Sequence, residues 1–219
     1  MIILDYNKKR HKEIIHASVE ALKQGKIVAY PTDTSYGLAA DSGNIKAVNK
    51  LYAVKEREGK KPVHVVVPSL SYAKKIVVWN KLATKLASKF LPGPLTLVLK
   101  LKVKCKGLKK LSADTGFLGI RYPKNQISLD LARVLKRPVT SASANPPAGQ
   151  GWDDSYSCDD IIRQFKEKKC KPDIIINAGK LPKRKPSTLI KINQDQTIQI
   201  LRTGPISEQS IKKFIIHNS

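Results

Sequence analysis

The sequence predicts an α/β protein in which helices pack on a mixed β-sheet. Apolar residues fall alternately at helical spacing and in short β-rich runs, which indicates both kinds of element along the chain. The last predicted strands lie close together in the sequence, so the order is not that of a uniform series of βαβ units. The 219 residues suffice for a proper hydrophobic core. We expect one domain, residues 1–219, because the most linker-like stretch, Asn145 to Asp154, has only the length of a loop.

The elements predicted in the first half of the chain alternate between helices and strands. Gly25 ends the first helix, and the sequence from Leu91 to Pro94 ends the third. Asn44 is expected to cap the second helix, because its side-chain oxygen can accept hydrogen bonds from free backbone N–H groups. In order, the elements are a helix with Ile14, Ile15, Val19 and Leu22 on one face, a strand over 27–30, a helix with Ile45, Val48, Leu51 and Tyr52, a β-rich run over 63–67, and a helix with Leu82, Leu86 and Phe90.

The stretch from Leu95 to Lys106 is predicted to form a half-buried strand. Apolar and basic residues alternate strictly from Leu99 onward. A period of two is that of a β-strand, so one face of this strand would be cationic. The basic face would carry Lys100, Lys102, Lys104 and Lys106, and the apolar face Leu101, Val103 and Cys105.

The second half of the chain is predicted to contain more strands than helices. The strands are expected over 118–122, 138–141, 174–176, 188–192 and 198–201, and the helices over 127–135 and 158–166. The spacing of Ile211, Phe214 and Ile215 predicts a last helix.

The chain is strongly basic. It contains 41 lysine and arginine residues against 17 aspartate and glutamate residues, which gives a formal net charge of +24. Such a charge favours polyanionic partners such as nucleotides or RNA through long-range attraction. A lysine-rich composition without a functional cause explains the charge equally well, so charge alone does not assign a nucleic-acid function.

The location expected from the sequence is the cytoplasm. The three cysteines, Cys105, Cys158 and Cys170, cannot all pair within one chain and are expected to be reduced thiols. No run approaches the roughly 18 consecutive apolar residues that a membrane helix needs. The first residues include Asp5 and a basic cluster from Lys8, and they lack the long apolar segment of a secretory signal. We therefore expect no membrane association.

Three polar clusters are candidates for a ligand site. Residues 31–38 place hydroxyls and a glycine at the end of a buried strand, where a ligand crevice can form, although a turn that satisfies its own backbone explains them as well. Residues 55–57, Lys-Glu-Arg, offer an ammonium and a guanidinium to a polyphosphate, although basic residues at a helix end also stabilise the helix dipole. Residues 140–145 form a lip of small hydroxyl and amide groups. Arg121 and Arg202 each follow a strand, and each taken singly is explained as a surface charge.

Several common catalytic frameworks are absent from the sequence. It contains neither a GxxxxGK[ST] phosphate loop nor a GxGxxG motif, and no nucleophile elbow. His11 and His16 are five residues apart rather than four, so a zinc site is not predicted. An ATP-like ligand would therefore be bound without the common frameworks.

Taken in order, the clusters make the chain resemble the threonylcarbamoyl-AMP synthase family with the YrdC-like fold. Each motif is short, but seven of them are collinear and span most of the chain. They are PTDTSYGL (31–38), KER (55–57) with KP (61–62), LPGPLTLVL (91–99), GIRYP (119–123), SAN (143–145), PSTLI (186–190) and LRTG (201–204). The chain is expected to be the short form of the family, without the extra C-terminal domain of longer members.

The resemblance implies a YrdC-like fold: a single domain with a twisted mixed sheet flanked by helices and a concave basic cleft. It also implies a nucleotidyltransferase that joins L-threonine, bicarbonate or carbon dioxide, and ATP into threonylcarbamoyl-adenylate and releases pyrophosphate. A separate transferase complex would then move the threonylcarbamoyl group onto an adenosine beside the anticodon of certain tRNAs.

Site residues are carried over by resemblance, motif by motif. The ATP-binding set is Lys55, Arg57, Lys61, Ser143, Asn145 and Arg202, and the L-threonine-binding set is Thr34, Arg121, Ser141 and Ser187. Arg121 would face the carboxylate of threonine. Lys55 and Arg57 would be catalytic, because the carbamate of threonine attacks the α-phosphorus and this approach of two anions needs neutralising cations. Mg²⁺ carried by the ATP phosphates would be the cofactor, and no side chain is expected to bind a metal.

Some positions depart from the family pattern. Phe117 stands where many members have a threonine near the nucleotide, and Val66 stands where longer relatives have a histidine near the substrate. His64 is expected on the other face of its strand and is not assigned to the site. The loop after Asn145 has the sequence PPAGQG rather than the commoner serine-glycine form.

Two alternative functions are considered. A paralogue of this fold could bind RNA without making an adenylate, but such relatives lack the KxR and SxN motifs that are present here. A carbamoyl-handling module of the kind fused into hydrogenase-maturation proteins would sit in a longer chain with zinc-finger and acylphosphatase regions. Direct contact with tRNA or other RNA is a further hypothesis on top of the enzyme function. It depends on the lysines from Lys100 to Lys106 and on Lys109, Lys110, Lys180, Lys183, Arg184 and Lys185.

Overall fold

The computed structural model describes residues 1–57, 61–146 and 153–216, which form eleven strands and eight α-helices. The strands are β1 (Ile2–Asp5), β2 (Val28–Pro31), β3 (Tyr36–Ala39), β4 (Val65–Val66), β5 (Leu95–Lys100), β6 (Phe117–Arg121), β7 (Val139–Thr140), β8 (Ala142–Ser143), β9 (Ile174–Asn177), β10 (Thr188–Ile192) and β11 (Ile198–Arg202). The helices are α1 (His11–Lys23), α2 (Ile45–Val54), α3 (Leu70–Ile76), α4 (Lys81–Phe90), α5 (Lys106–Leu111), α6 (Gln126–Leu135), α7 (Cys158–Phe165) and α8 (Glu208–Ile216). A short 3₁₀-helix, Lys8–Arg10, precedes α1.

The strands divide between two mixed sheets. The first has the order β1-β9-β2-β3-β8, in which β9 pairs in parallel with β1 and β2, and β3 is antiparallel to both of its neighbours. The second has the order β11-β10-β5-β6-β4-β7. Its parallel pairs are β10 with β5 and β4 with β6, and its other pairs are antiparallel. The mixed α/β architecture is therefore the predicted one, with two sheets where the sequence suggested one.

The larger hydrophobic core joins the two sheets. It combines Leu38 of β3 with Leu97 of β5 and Ile120 of β6, and all three side chains are fully buried. A second core lies where α1 and α6 pack against each other and against β2. Because the side chains of both cores are apolar and buried, the polar strand ends are the parts of the sheets left for ligand chemistry.

The helix boundaries follow the capping residues. The side chain of Asn44 accepts hydrogen bonds from the backbone N–H groups of Lys46 and Ala47, so the predicted cap of α2 is confirmed. Helix α4 ends at Phe90, directly before a cis peptide bond between Leu91 and Pro92. The predicted end of this helix is therefore confirmed as well.

The strand predicted from Leu95 to Lys106 is wrong in its second half. Strand β5 ends at Lys100, because the chain then leaves the sheet: the backbone N–H of Lys102 donates to the carbonyl of Ile76 at 2.9 Å. Lys106 begins helix α5. The four lysines therefore do not share one face of a strand.

The sequence patterns also missed short elements. Strands β1, β3 and β8 and helices α3 and α5 were not predicted, and the run over 63–67 contains only the two-residue strand β4. No helix in the described ranges is long and apolar enough to cross a bilayer.

Candidate active site

A cavity of about 810 Å³ is lined by residues of both sheets. Its volume lies within the range of small-molecule and cofactor sites, roughly 300–1,000 Å³. The first sheet contributes the β2–β3 turn and β8, and the second contributes β6, β10 and β11. In the described part of the chain, its basic lining residues are Arg57, Lys61, Arg121, Lys191 and Arg202, and its acidic ones are Asp153 and Asp154. This excess of cations suits an anionic ligand.

The structure brings almost all of the predicted site residues to this one cavity. Lys55 is the exception, because its side chain does not line the cavity wall. The nine that do are Thr34, Arg57, Lys61, Arg121, Ser141, Ser143, Asn145, Ser187 and Arg202. They come from stretches of the sequence that are far apart, so their convergence is a property of the fold.

The ammonium group of Lys55 is occupied by the protein itself. It donates to the backbone carbonyl of Ser143 at 2.9 Å, to Oδ1 of Asn145 at 2.8 Å and to the backbone carbonyl of Asn145. An ammonium group has three protons, so no donor is left over. The residue is only 1% exposed, and burial, with the neighbouring charge of Arg57, lowers its pKa from 10.5 to about 7. Lys55 therefore fixes the turn that carries Ser143 and Asn145.

Arg121 is held at two corners of its guanidinium. Its Nη2 donates to Oδ1 of Asp33 at 2.6 Å, and its Nη1 donates to the hydroxyl of Ser141 at 2.8 Å. Its Nε is buried and has no partner in the described part of the chain. An unsatisfied buried donor is unfavourable in a protein interior. A ligand oxygen is the kind of group that would satisfy it.

Ser187 connects the two predicted halves of the site. Its hydroxyl lies 2.7 Å from the hydroxyl of Thr96, and its carbonyl accepts from Nε and Nη2 of Arg202 at 3.1 and 3.0 Å. Burial first, and then the charge of Arg121, lower the pKa of Arg202. The two guanidinium groups therefore repel each other, and an anion between them would relieve this repulsion.

The β2–β3 turn satisfies its own backbone and also faces the cavity. The hydroxyl of Thr32 accepts from the N–H of Thr34 at 3.1 Å and donates to the carbonyl of Ser35 at 2.7 Å. Thr34 and Ser35 line the cavity as well. The structural interpretation of this cluster is therefore confirmed, and its ligand-binding interpretation stays a prediction for residues that line the cavity.

His64 lines the cavity, contrary to the sequence expectation. His64 and Val66 do lie on different sides, but Val66 is the one buried in the core beneath α1 and α6. His64 precedes strand β4, so the alternation of side chains along a strand does not govern it.

Phe117 lines the cavity at the position where the family pattern has threonine. The ammonium of Lys191 lies 4.2 Å from the centroid of its ring, a cation–π contact. The departure therefore replaces a hydroxyl with an aromatic ring covered on one side by a cation.

Sequence reasoning missed Asp33, His64 and Lys191. Asp33 lies inside the recognised PTDTSYGL motif, and its place in that motif was the available signal. In the structure it pairs with the buried Arg121. Lys191 belongs to strand β10 and lies two residues after Leu189, which also lines the cavity. Side chains two residues apart on a strand share a face, and this spacing was the available signal. The loop after Asn145 lies largely outside the described residues. Among the described residues, no group of three His, Cys, Asp or Glu side chains could hold a metal ion.

The fold and the cavity define an α/β protein built from two mixed sheets around a cationic ligand site. The family model for Sua5, YciO and YrdC, described as "Telomere recombination", matches residues 20–204, and the chain belongs to this family.

Curated relatives and solved structures agree with this membership. A Methanocaldococcus jannaschii protein provisionally named threonylcarbamoyl-AMP synthase is 37% identical over 211 residues, which are 96% of this chain and 95% of that protein. The Pyrococcus abyssi Sua5 structure, in complex with L-threonine, superposes with a TM-score of 0.88 at 27% identity. The match covers 98% of this chain but 61% of that one. The E. coli YciO structure matches with a TM-score of 0.79 at 22% identity and shares the fold.

Proposed function

We propose that this protein is a threonylcarbamoyl-AMP synthase, which converts L-threonine, bicarbonate or carbon dioxide, and ATP into threonylcarbamoyl-adenylate and pyrophosphate. The observation that carries the proposal is the lining of one cavity by nine of the ten residues expected from the family resemblance. The names of the relatives from M. jannaschii and P. abyssi support the same activity.

The amino acid would bind at the end of the cavity that contains Arg121. The free Nε of this arginine is a donor for the carboxylate of threonine. Asp33 keeps the guanidinium in one orientation, so the position of the carboxylate is set before the ligand arrives. The hydroxyls of Thr34, Ser141 and Ser187 offer donors and acceptors to the amine and hydroxyl of threonine.

The nucleotide would bind where Arg57, Lys61 and Arg202 line the cavity. Burial lowers the pKa of both Arg57 and Arg202, because it disfavours their charged forms. A triphosphate restores this lost electrostatic stabilisation, so these cations are well placed for phosphate oxygens. Ser143 and Asn145 complete the nucleotide site on the turn that Lys55 holds. Lys55 thus acts as a positioning residue, whereas Arg57 contacts the nucleotide.

The reaction needs positioning and charge compensation rather than a side-chain nucleophile. A carbamate oxygen on the threonine nitrogen attacks the α-phosphorus, and pyrophosphate leaves. The arginines reduce the repulsion between the two anions as they approach. Mg²⁺ enters as the magnesium–ATP complex, since this ion keeps water and phosphate oxygens as ligands. Asp153 and Asp154 are the carboxylates that line the cavity in the described part of the chain, and they suit contacts through its water shell.

The chemistry of the adenylate product indicates which protein must act next. An adenylate is an activated acyl donor, so a transferase must consume it. A threonylcarbamoyl transferase complex acting on tRNA, in the cytoplasm, is therefore the partner we propose.

The deciding experiment is mass-spectrometric detection of threonylcarbamoyl-adenylate in a mixture of protein, ATP, Mg²⁺, bicarbonate and L-threonine. We expect the product with L-threonine and much less of the corresponding product with serine or glycine as competing amino acids. The Arg121→Met variant should lose most of the product because it loses the carboxylate contact. An absence of adenylate with the wild-type protein would contradict the proposal and would favour the RNA-binding paralogue.

RNA contact is a second proposal, carried by a specific run of lysines. From Lys61 to Ser112 the sequence contains no aspartate or glutamate. Lys100, Lys102, Lys104 and Lys106 are all exposed, and Lys102 donates to the carbonyl of Lys74 in α3. Exposed cations attract a phosphate backbone.

A further inference from the structure

His64 carries a partly buried imidazole. It lines the cavity, and in the described part of the chain neither ring nitrogen has a hydrogen-bond partner. Its backbone is fixed, because its carbonyl accepts from the N–H of Ser141 at 2.8 Å. The ring nitrogens are accessible in the cavity, so they can bind a group that enters it.

The fold makes room for this ring at Gly119. A Cβ at Gly119 would lie 2.4 Å from Cδ2 of His64, a distance that no real Cβ contact tolerates. The same Cβ position is 3.2 Å from the methyl group of Thr96, whose hydroxyl contacts Ser187 at 2.7 Å. The imidazole therefore packs over the backbone of β6, beside the serine that connects the amino-acid and nucleotide halves of the cavity.

The surroundings keep the ring neutral. Burial first, and then the charges of Arg121, Arg202 and Arg57, lower the pKa of His64 from 6.5 to about 3. A neutral imidazole offers one N–H donor and one acceptor. It can therefore bind an anion held by the arginines without adding a charge of its own.

We infer that His64 donates a hydrogen bond to a carbamate formed on the nitrogen of threonine and holds this group between Arg121 and Arg202. The inference rests on the proposed function and names the group that binds at the junction of the two halves. When the carbamate forms, the amine nitrogen bonds to the carbon of CO₂, one π electron pair moves to an oxygen, and the proton released by nitrogen goes to water. His64 stays neutral throughout and binds the new oxygen.

The kinetic test compares His64→Ala and His64→Gln at saturating ATP and L-threonine. We expect His64→Ala to raise the apparent KM for bicarbonate at least tenfold in adenylate formation. His64→Gln should stay within about threefold of the wild type, because its amide keeps an N–H donor. His16→Ala, which changes an exposed histidine on α1, should have no effect. An unchanged bicarbonate KM in His64→Ala would overturn the inference.

A second readout does not depend on turnover. In protein with ¹⁵N-labelled histidine, the imidazole signals of His64 are those lost in His64→Gln. We expect a neutral ring whose signals shift when L-threonine and bicarbonate are added together. They should not shift in Gly119→Ala, where the new methyl group displaces the ring.

The two readouts separate this inference from the proposed function. If the wild-type protein forms no adenylate, the proposed function fails, yet a shift of the His64 signals still supports carbamate binding. The absence of a shift with L-threonine and bicarbonate overturns the inference, even in a protein that makes adenylate.

Discussion

Asp33 and Arg121 form a buried ion pair at the wall of the cavity. Oδ1 of Asp33 lies 2.6 Å from Nη2 of Arg121, and their side chains are 4% and 7% exposed. Asp33 also accepts from the backbone N–H of Lys124 at 3.4 Å. The charge of Arg121 is therefore balanced before a ligand arrives, and the arginine has one orientation rather than several.

Removing Asp33 should destabilise the protein strongly. Asp33→Ala leaves the buried charge of Arg121 without a partner, and breaking such a pair costs on the order of 3–5 kcal/mol of unfolding free energy. Asp33→Asn keeps the shape and an acceptor oxygen, so its loss should be smaller. Chemical denaturation measures both. Arg163→Ala is the control: it breaks an ion pair in which the arginine side chain is 74% exposed and should cost less than about 1 kcal/mol. If Asp33→Ala lowered the free energy of unfolding no more than Arg163→Ala does, the role of the buried pair would be contradicted.

The stability of the fold should rise with pH because of Lys55. Its pKa is about 7 in the folded protein, against 10.5 for an ordinary lysine. Between these two values the unfolded chain binds more protons than the folded one, so the free energy of unfolding increases with pH over this window. Lys55→Met lacks the titrating group. We expect the difference in unfolding free energy, wild type minus Lys55→Met, to increase from pH 7 to pH 10.

Denaturation curves at intervals of half a pH unit measure this difference. Subtraction of the variant removes the contribution of other groups, such as Tyr30, whose pKa burial raises to about 12. A constant difference over the window would show that Lys55 keeps an ordinary pKa.

Lys55 and Arg57 should differ in how they lower activity. Arg57→Met removes a cation from the cavity wall, so the dissociation constant for ATP should rise and L-threonine-dependent ATP–pyrophosphate exchange should fall at least a hundredfold. Lys55→Met should also lower exchange by orders of magnitude, because the turn with Ser143 and Asn145 loses its anchor. Arg163→Ala should leave exchange unchanged. Calorimetric titration with ATP and the exchange assay measure the two effects. Near-normal exchange in Lys55→Met would remove the lysine from its positioning role.

The sequence predicted which residues line the cavity better than it predicted the strands. Local patterns such as the Asn44 cap depend on a few neighbouring residues, and the structure has them as expected. The motifs identify residue types, so the cavity wall was largely foreseen. The orientation of Lys55 could not be predicted from the sequence, because it depends on the carbonyl groups of residues that lie 88 and 90 positions further along the chain. Similarly, the alternation from Lys100 to Lys106 has the period of a strand, but only Leu101 continues the pairing, and from Lys102 onward a contact with Ile76 redirects the chain.

RNA binding, if it uses the exposed lysines that follow β5, should be strongly dependent on salt. Each phosphate contact with a single strand releases counterions and contributes about −0.7 to the slope of log affinity against log salt concentration. Replacing Lys100, Lys102 and Lys104 with glutamine should therefore weaken binding and make the slope shallower by about 2, three times that value. Filter retention of tRNA over a range of salt concentrations measures the slope.

The matched control for this prediction replaces Lys8, Lys9 and Lys12, three exposed lysines near the N-terminus, with glutamine. Both triple variants lose the same net charge, so long-range attraction falls equally in the two. If RNA contacts the lysines after β5 directly, only the variant of Lys100, Lys102 and Lys104 should change the slope of log affinity against log salt concentration. Equal slopes in the two variants would mean that RNA is attracted by the overall charge, and the lysines after β5 would then be ordinary solvated side chains.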